Sequence, residues 1–153
     1  MTWKLWIDAD SCPKSIVEIV CKAATRRKFK VWMIANKYRK PPFPCEFHLV
    51  PGEPDAADDF IAENVNSSDL VITGDILLAE RVLKQKGIAI DHRGHEFTEN
   101  DIASRVMKRN LSEQLRDTGV LLGGPAPYSE KDKRMFASTF DRIIQKLHQS
   151  KHF

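Results

Sequence analysis

The sequence has no apolar run near the roughly 20 residues that a bilayer-spanning helix needs, so no membrane span is expected. Cysteine is scarce as well. Cys12, Cys21 and Cys45 are odd in number and lack CxxC spacing, which argues against a structural disulfide or a zinc site. Cys12 stands near a predicted helix start and is the one candidate for a reactive thiol; a plain structural cysteine is the simpler assignment. His48, His92 and His95 show no metal-ligand spacing and read as ordinary polar residues. There is no internal repeat, low-complexity tail or domain boundary, so residues 1–153 read as one domain. The opening MTWKLWIDAD turns acidic before a signal-peptide core could form, which makes a cytoplasmic location the expectation.

Acidic residues are absent between Glu18 and Glu46. That stretch holds Lys22, Arg26, Arg27, Lys28, Lys30, Lys37, Arg39 and Lys40, with Phe29, Trp32 and Tyr38 interleaved. Such a patch suits a polyanion, with aromatic rings available for base stacking. The plainer alternative is a solvated helix end followed by a basic loop, with Trp32 in the core. A second basic cluster comprises Arg105, Lys108, Arg109 and Arg116. With 42% hydrophobic and 29% charged residues, the rest of the chain has the balance of a globular domain.

Residues 3–7 (WKLWI), 30–35 (KVWMIA), 45–50 (CEFHLV), 69–73 (DLVIT) and 88–90 (IAI) read as strands. SIVEIVCKAATRR after Pro13, residues 55–66 after Pro54, and ILLAERVLKQ before Gly87 read as helices. On a wheel of about 100° per residue, Ala56, Ala57, Phe60 and Ile61 share one arc; Asp55, Asp58, Asp59 and Ala62 share the other. Thr98 with Asp101, and Ser129 with Asp132, have capping spacing and predict helices through 109 and along a Phe136–Phe140–Ile143–Leu147 stripe. GVLLGGPAPYS lies between them as a connector, with a lid or phosphate-binding turn as its functional alternative. Strands alternating with helices predict an α/β fold with a mostly parallel sheet covered on both faces, and a helical C-terminal part over about 98–150.

Ligands of such sheets bind at the carboxyl ends of the strands. The first strand ends in Asp8-Ala9-Asp10 and the fourth in Thr73-Gly74-Asp75. If parallel, both ends share one edge, and carboxylates that close repel unless something positive lies between them. Hard oxygen ligands suit Mg²⁺ or Mn²⁺. Asp55, Asp58 and Asp59 sit on one face of a helix's first turn, where acids are also favoured simply by the helix dipole.

The order of a strand-end Asp, a helix carrying ADD (57–59) and a strand ending in T-x-D (73–75) resembles the PIN-like nuclease superfamily. WIDADSCP, PDAADDFIAE, LVITGDILLAE and LLGGPAPYSEKDKRMF resemble, over nearly the whole chain, the bacterial YaiI/YqxD family, itself usually placed among PIN-like proteins. The resemblance implies a three-layer α/β/α PIN-like domain and Mg²⁺- or Mn²⁺-dependent hydrolysis of phosphodiester bonds in RNA or single-stranded nucleic acid. Carried over, Asp8 and Asp75 become metal ligands, Asp58 or Asp59 the helix acid, and Thr73 a positioning hydroxyl. Asp10 is an extra acid that joins Asp8, Asp59 and Asp75 in the expected ligand set. Asp91 is the nearest candidate for a further acid after T-x-D. Arg26, Arg27, Lys28, Lys37, Arg39, Lys40, Arg105 and Arg109 are the residues expected to hold the nucleic-acid backbone.

Two rivals remain open at this point. Hydrophobic-strand-DxD opens haloacid-dehalogenase-like phosphatases, with Asp8 as nucleophile and Asp10 as general acid. That family places an acidic pair after a later strand, whereas Asp58-Asp59 precedes Thr73 on a predicted helix. The other rival is a metal- or RNA-binding module without catalysis.

Overall fold

The computed structural model describes residues 3–120, 124 and 126–150. Five strands form one all-parallel sheet: β1 (Leu5–Asp8), β2 (Val31–Ala35), β3 (Glu46–Leu49), β4 (Leu70–Ile72) and β5 (Ile88–Ile90), in spatial order β3-β2-β1-β4-β5. Five helices accompany them: α1 (Lys14–Arg27), α2 (Ala56–Asn64), α3 (Ile76–Lys84), α4 (Glu99–Asp117) and α5 (Glu130–Ser150).

The alternation along β1 sets the layers. Leu5 and Ile7 join the core under α1 and α5, with Ile16, Val20, Phe136 and Ile144; Trp6 joins the core under α2, α3 and α4, with Ile61, Leu78 and Ile102. The result is a three-layer α/β/α domain, as expected. The chain winds outward from β1 to β3, then returns through α2 to place β4 on the other side of β1. The switch point is therefore the β1–β4 boundary, where Asp8 ends one strand and Thr73 follows the other.

Differences from the expected elements have identifiable causes. Helix α4 runs to Asp117, eight residues past the predicted end at 109. Its second half buries no residue against the core and carries the i,i+4 pair Arg109–Glu113, which supports an exposed helix. Ala62 is buried rather than sharing the polar arc of α2, because Ile61 and Ala62 both face the sheet. Both capping expectations hold: Thr98 and Asp101 form a reciprocal capping box, and Ser129 and Asp132 exchange the same bonds.

Cys21 and Cys45 are joined as a disulfide, which corrects the expectation of no structural disulfide. α1 lies over β2, and β3 pairs with β2, so the two sulfurs meet although 24 residues separate them in sequence. Cys12 is free and buried, and burial pushes its thiol up to about 12. A thiol so poorly ionised is a packing residue, which removes it as a reactive nucleophile.

Gly94 shows why the loop after β5 is fixed. Its φ is +88°, and a side-chain carbon there would fall 2.6 Å from the Met135 carbonyl, so α5 packs directly on the loop backbone. Arg93 is bound to Asp132 (2.8 Å) and to the Ala126 carbonyl (2.6 Å), so it is a structural tie rather than an anion-binding group. Residues 121–123 and 125 of the connector lie outside the described residues, and with them the lid or phosphate-turn expectation.

Candidate metal centre

A ring of hydrogen bonds closes the switch point. The Thr73 hydroxyl donates to Oδ2 of Asp8 (2.8 Å) and accepts from the Asp75 amide (2.9 Å). The Ser11 hydroxyl donates to the same Oδ2 (2.8 Å) and accepts from the Gly74 amide (3.0 Å). Ser11 ends a 3₁₀ turn, Ala9–Ser11, that carries the chain away from β1. Two hydroxyls thus satisfy one oxygen of a carboxylate that is only 3% exposed, while its Oδ1 accepts no hydrogen bond among the described residues. Burial raises the Asp8 pKa; the two hydroxyls oppose this, and the charges of Asp10 and Asp75 add to it.

Asp75 is the N-cap of α3: its Oδ1 accepts from the amides of Leu77 (2.9 Å) and Leu78 (3.3 Å). Asp58, on the first turn of α2, shares a hydrogen bond with Asp75. Burial, the charge of Asp8, that hydrogen bond, and the charges of Asp75 and Asp10 push the Asp58 carboxyl up to about 8. With its pKa pushed to about 8, Asp58 holds its proton more tightly than an ordinary carboxyl does.

The remaining acids fall elsewhere. Asp59 pairs with Arg81 on α3, 2.5 Å away, whereas Asp58 is the acid of that helix turn that feels Asp8 and Asp75. Asp10 is at the margin. Its Oδ2 accepts from the Asn36 amide (3.1 Å), and its Oδ1 lies 3.6 Å from Arg39. Asp91 accepts from the amides of Arg93 and His95 and organises its own loop.

The family model described as "Uncharacterized BCR, YaiI/YqxD family" matches residues 6–146. The chain belongs to the YaiI/YqxD family. It is 46% identical over 147 residues to a UPF0178 protein of Pseudomonas aeruginosa, covering 94% of this chain and 91% of that one. It is 42% identical over 149 residues to a UPF0178 protein of Stutzerimonas stutzeri, covering 96% and 99%. A UPF0178 protein of Pseudomonas fluorescens is 42% identical over 146 residues, covering 94% and 97%. No solved structure matches the chain. The YaiI/YqxD match starts in β1 and ends in α5, so it takes in every residue of the acidic edge.

Does this YaiI/YqxD site fit a divalent ion? Among the described residues, no three His, Cys, Asp or Glu side chains stand already arranged to hold a metal. The donor chemistry does fit. Asp8, Asp58 and Asp75 are hard oxygen donors, close enough that one of them retains a proton near neutral pH. That proton neutralises the crowding a cation would otherwise neutralise. Closing a ligand set requires Asp58 to lose it.

The basic residues separate into two groups. α1 runs antiparallel to the strands, so Arg26, Arg27 and Lys28 close it at the amino edge, away from the acids; Arg27 pairs there with Asp141 of α5. Lys37, Arg39 and Lys40 follow β2 at the carboxyl edge, beside the site. Phe29 packs on Trp3 and Phe140, and Trp32 stacks on Trp6, which leaves Tyr38 as the exposed ring of the three. Arg105 and Arg109 face a shallow groove of about 260 Å³ with Lys108, Arg116 and Ile76, the residue after Asp75.

Sequence reasoning missed three participants. Ser11 clamps Asp8 to Gly74, which is visible only once β1 and β4 are known to be neighbours. His92 packs on Gly74, with its Nδ1 buried and unpartnered among the described residues, and burial lowers its pKa. Asp69, 1% exposed, accepts from the Lys4 and Asn66 amides and from the Trp6 indole, fixing the opposite end of the same strand pair.

Proposed function

We propose that the acidic edge is the active site of a Mg²⁺- or Mn²⁺-dependent nuclease that hydrolyses phosphodiester bonds in RNA or single-stranded nucleic acid, on a PIN-like version of this fold. The observation that carries the reading is the meeting of Asp8, Asp58 and Asp75 from three separate elements at the switch point, where ligands of open parallel sheets bind.

Asp8 and Asp75 would hold the ion, Asp8 through the oxygen that no hydroxyl occupies. When bound, such an ion supplies Lewis-acid activation of the attacking water and neutralises charge on the phosphoryl oxygens. Thr73 and Ser11 fix the Asp8 carboxylate, and Thr73 also orients the Asp75 backbone. Asp58, once deprotonated, would join Asp8 and Asp75 as a ligand through one carboxylate oxygen, and its other oxygen would take the water's proton as the new P–O bond forms and the bond to the leaving oxygen breaks. Basic side chains flank the acids on both sides, Lys37 and Lys40 after β2 and Arg105 and Arg109 on α4, so an extended strand crossing the edge meets cations before and after the scissile phosphate.

The test is cleavage of a mixed single-stranded RNA pool by the purified chain with Mn²⁺ against EDTA. Asp8→Asn and Asp75→Asn are each expected to reduce the rate at least about 100-fold, since even outer-shell partners of metal ligands cost about 10–100-fold. Cleavage that persists in both variants, or in EDTA, overturns the reading.

A further inference from the structure

Beside the acidic edge, on the α1 side of the sheet, lies a cavity of about 390 Å³. Its floor is apolar: Val17 from α1, Met33 from β2 and the Cys12 side chain. Pro41 and Pro42 form a rigid wall on the loop that follows β2. The rim carries Lys14, Arg39 and Lys40 against the single acid Glu18. Among the described residues neither Lys14 nor Lys40 forms an ion pair.

Two ties hold this cavity to the acids and in shape. Arg39 donates to the Ala9 carbonyl (2.9 Å) and faces Asp10 (3.6 Å), so the wall of the cavity is also the flank of the acidic edge. The Cys21–Cys45 disulfide anchors the far end of the same loop to α1. An apolar slot of this size with a few convergent polar groups is the usual form of a small-ligand site, which spans about 300–1,000 Å³. The cationic rim suits an anion, and the apolar surface of Val17, Met33 and the proline wall suits a ring. A planar guanidinium at the junction can fork a phosphate or stack on a base.

We propose that this cavity is a subsite for one nucleotide unit of a single-stranded RNA, seating the base on Val17, Met33 and Pro41 and the adjoining phosphate on Lys14, Arg39 and Lys40. The proposal rests on the nuclease reading for its choice of polymer, and it names how the strand is held on one side of the scissile bond. The subsite itself needs no divalent ion.

Amide chemical-shift titration of the ¹⁵N-labelled chain in EDTA tests it, with adenosine, AMP, inorganic phosphate, tetra-uridylate and tetraglutamate as probes. AMP is expected to move the amides of Cys12, Val17 and Met33 and to bind at least tenfold more tightly than phosphate. Adenosine should move the same amides more weakly. Tetra-uridylate should bind at least tenfold more tightly than AMP and also move Asp75 and Ile76. The double substitution Lys14→Glu with Lys40→Glu, at two exposed positions, should weaken AMP at least tenfold and leave adenosine unchanged. The subsite is overturned if phosphate matches AMP, if tetraglutamate displaces AMP, if tetra-uridylate binds no better than AMP, if the double variant retains AMP affinity, or if shifts fall only around Arg105 and Arg109. Because EDTA is present, the two readings fail separately. AMP seated in a chain that never cleaves RNA overturns the catalysis; RNA cleavage by a chain that AMP leaves unperturbed overturns the subsite.

Discussion

The hydroxyl of Thr73 donates to Oδ2 of Asp8 across 2.8 Å, tying the end of β4 to the end of β1 at the point where the chain reverses its winding. Asp8 is buried, so each donor to it is costly to lose. Thr73→Val keeps the shape and removes the donor, and is expected to destabilise the fold by about 1–3 kcal/mol in urea denaturation. Thr73→Ser should recover most of that loss. Equal stability of Thr73→Val and the parent would contradict the geometry.

Asp58 gives a pH signature. Its folded carboxyl titrates at about 8, against an ordinary value of 3.8, so between those values the folded chain binds a proton that the unfolded chain releases. Its stabilising contribution is complete below 3.8 and is lost as pH rises through the folded value. Melting temperatures of the parent should therefore fall, relative to Asp58→Asn, from pH 4 to pH 8. Parallel pH curves for the two proteins would contradict the crowding of Asp58 by Asp8 and Asp75.

The disulfide is testable by counting thiols. Denatured without reductant, the chain should titrate one thiol, Cys12. Reduction opens a loop of 24 residues and should cost about 3 kcal/mol of stability on the loop-entropy model. Three titratable thiols in the unreduced chain would contradict the pairing.

The two basic groups should behave differently toward RNA. Arg105→Ala with Arg109→Ala is expected to weaken binding and to lower the slope of log affinity against log salt by about 0.7 for each phosphate no longer neutralised. Arg26→Ala with Lys28→Ala, at the amino edge, should leave both nearly unchanged. Equal losses of affinity from the two pairs would return the basic stretch 22–40 to a single binding surface.

Much of this was legible in the sequence. Strand and helix order followed from apolar runs broken by Pro, Gly and acids, and the parallel sheet followed from their alternation. That placed Asp8, Thr73 and Asp75 on one edge. Spacing could not separate Asp58 from Asp59, because both fall on the arc that Asp55 opens, at i+3 and i+4; Arg81, on a different helix, draws Asp59 away. The Cys21–Cys45 pair was hidden for the same kind of reason, since it depends on β3 lying beside β2 beneath α1. The basic stretch looked continuous in sequence, but an antiparallel helix and a parallel strand carry its halves to opposite edges.

If Asp8, Asp58 and Asp75, but not Asp59, make one divalent-ion site, calorimetric titration of Mn²⁺ into the parent chain, Asp8→Asn, Asp58→Asn and Asp59→Asn will show it. Saturable binding by the parent is expected, retained by Asp59→Asn and weakened at least tenfold in Asp8→Asn and Asp58→Asn. No binding by the parent, or a loss in Asp59→Asn as large as in Asp58→Asn, would contradict the site.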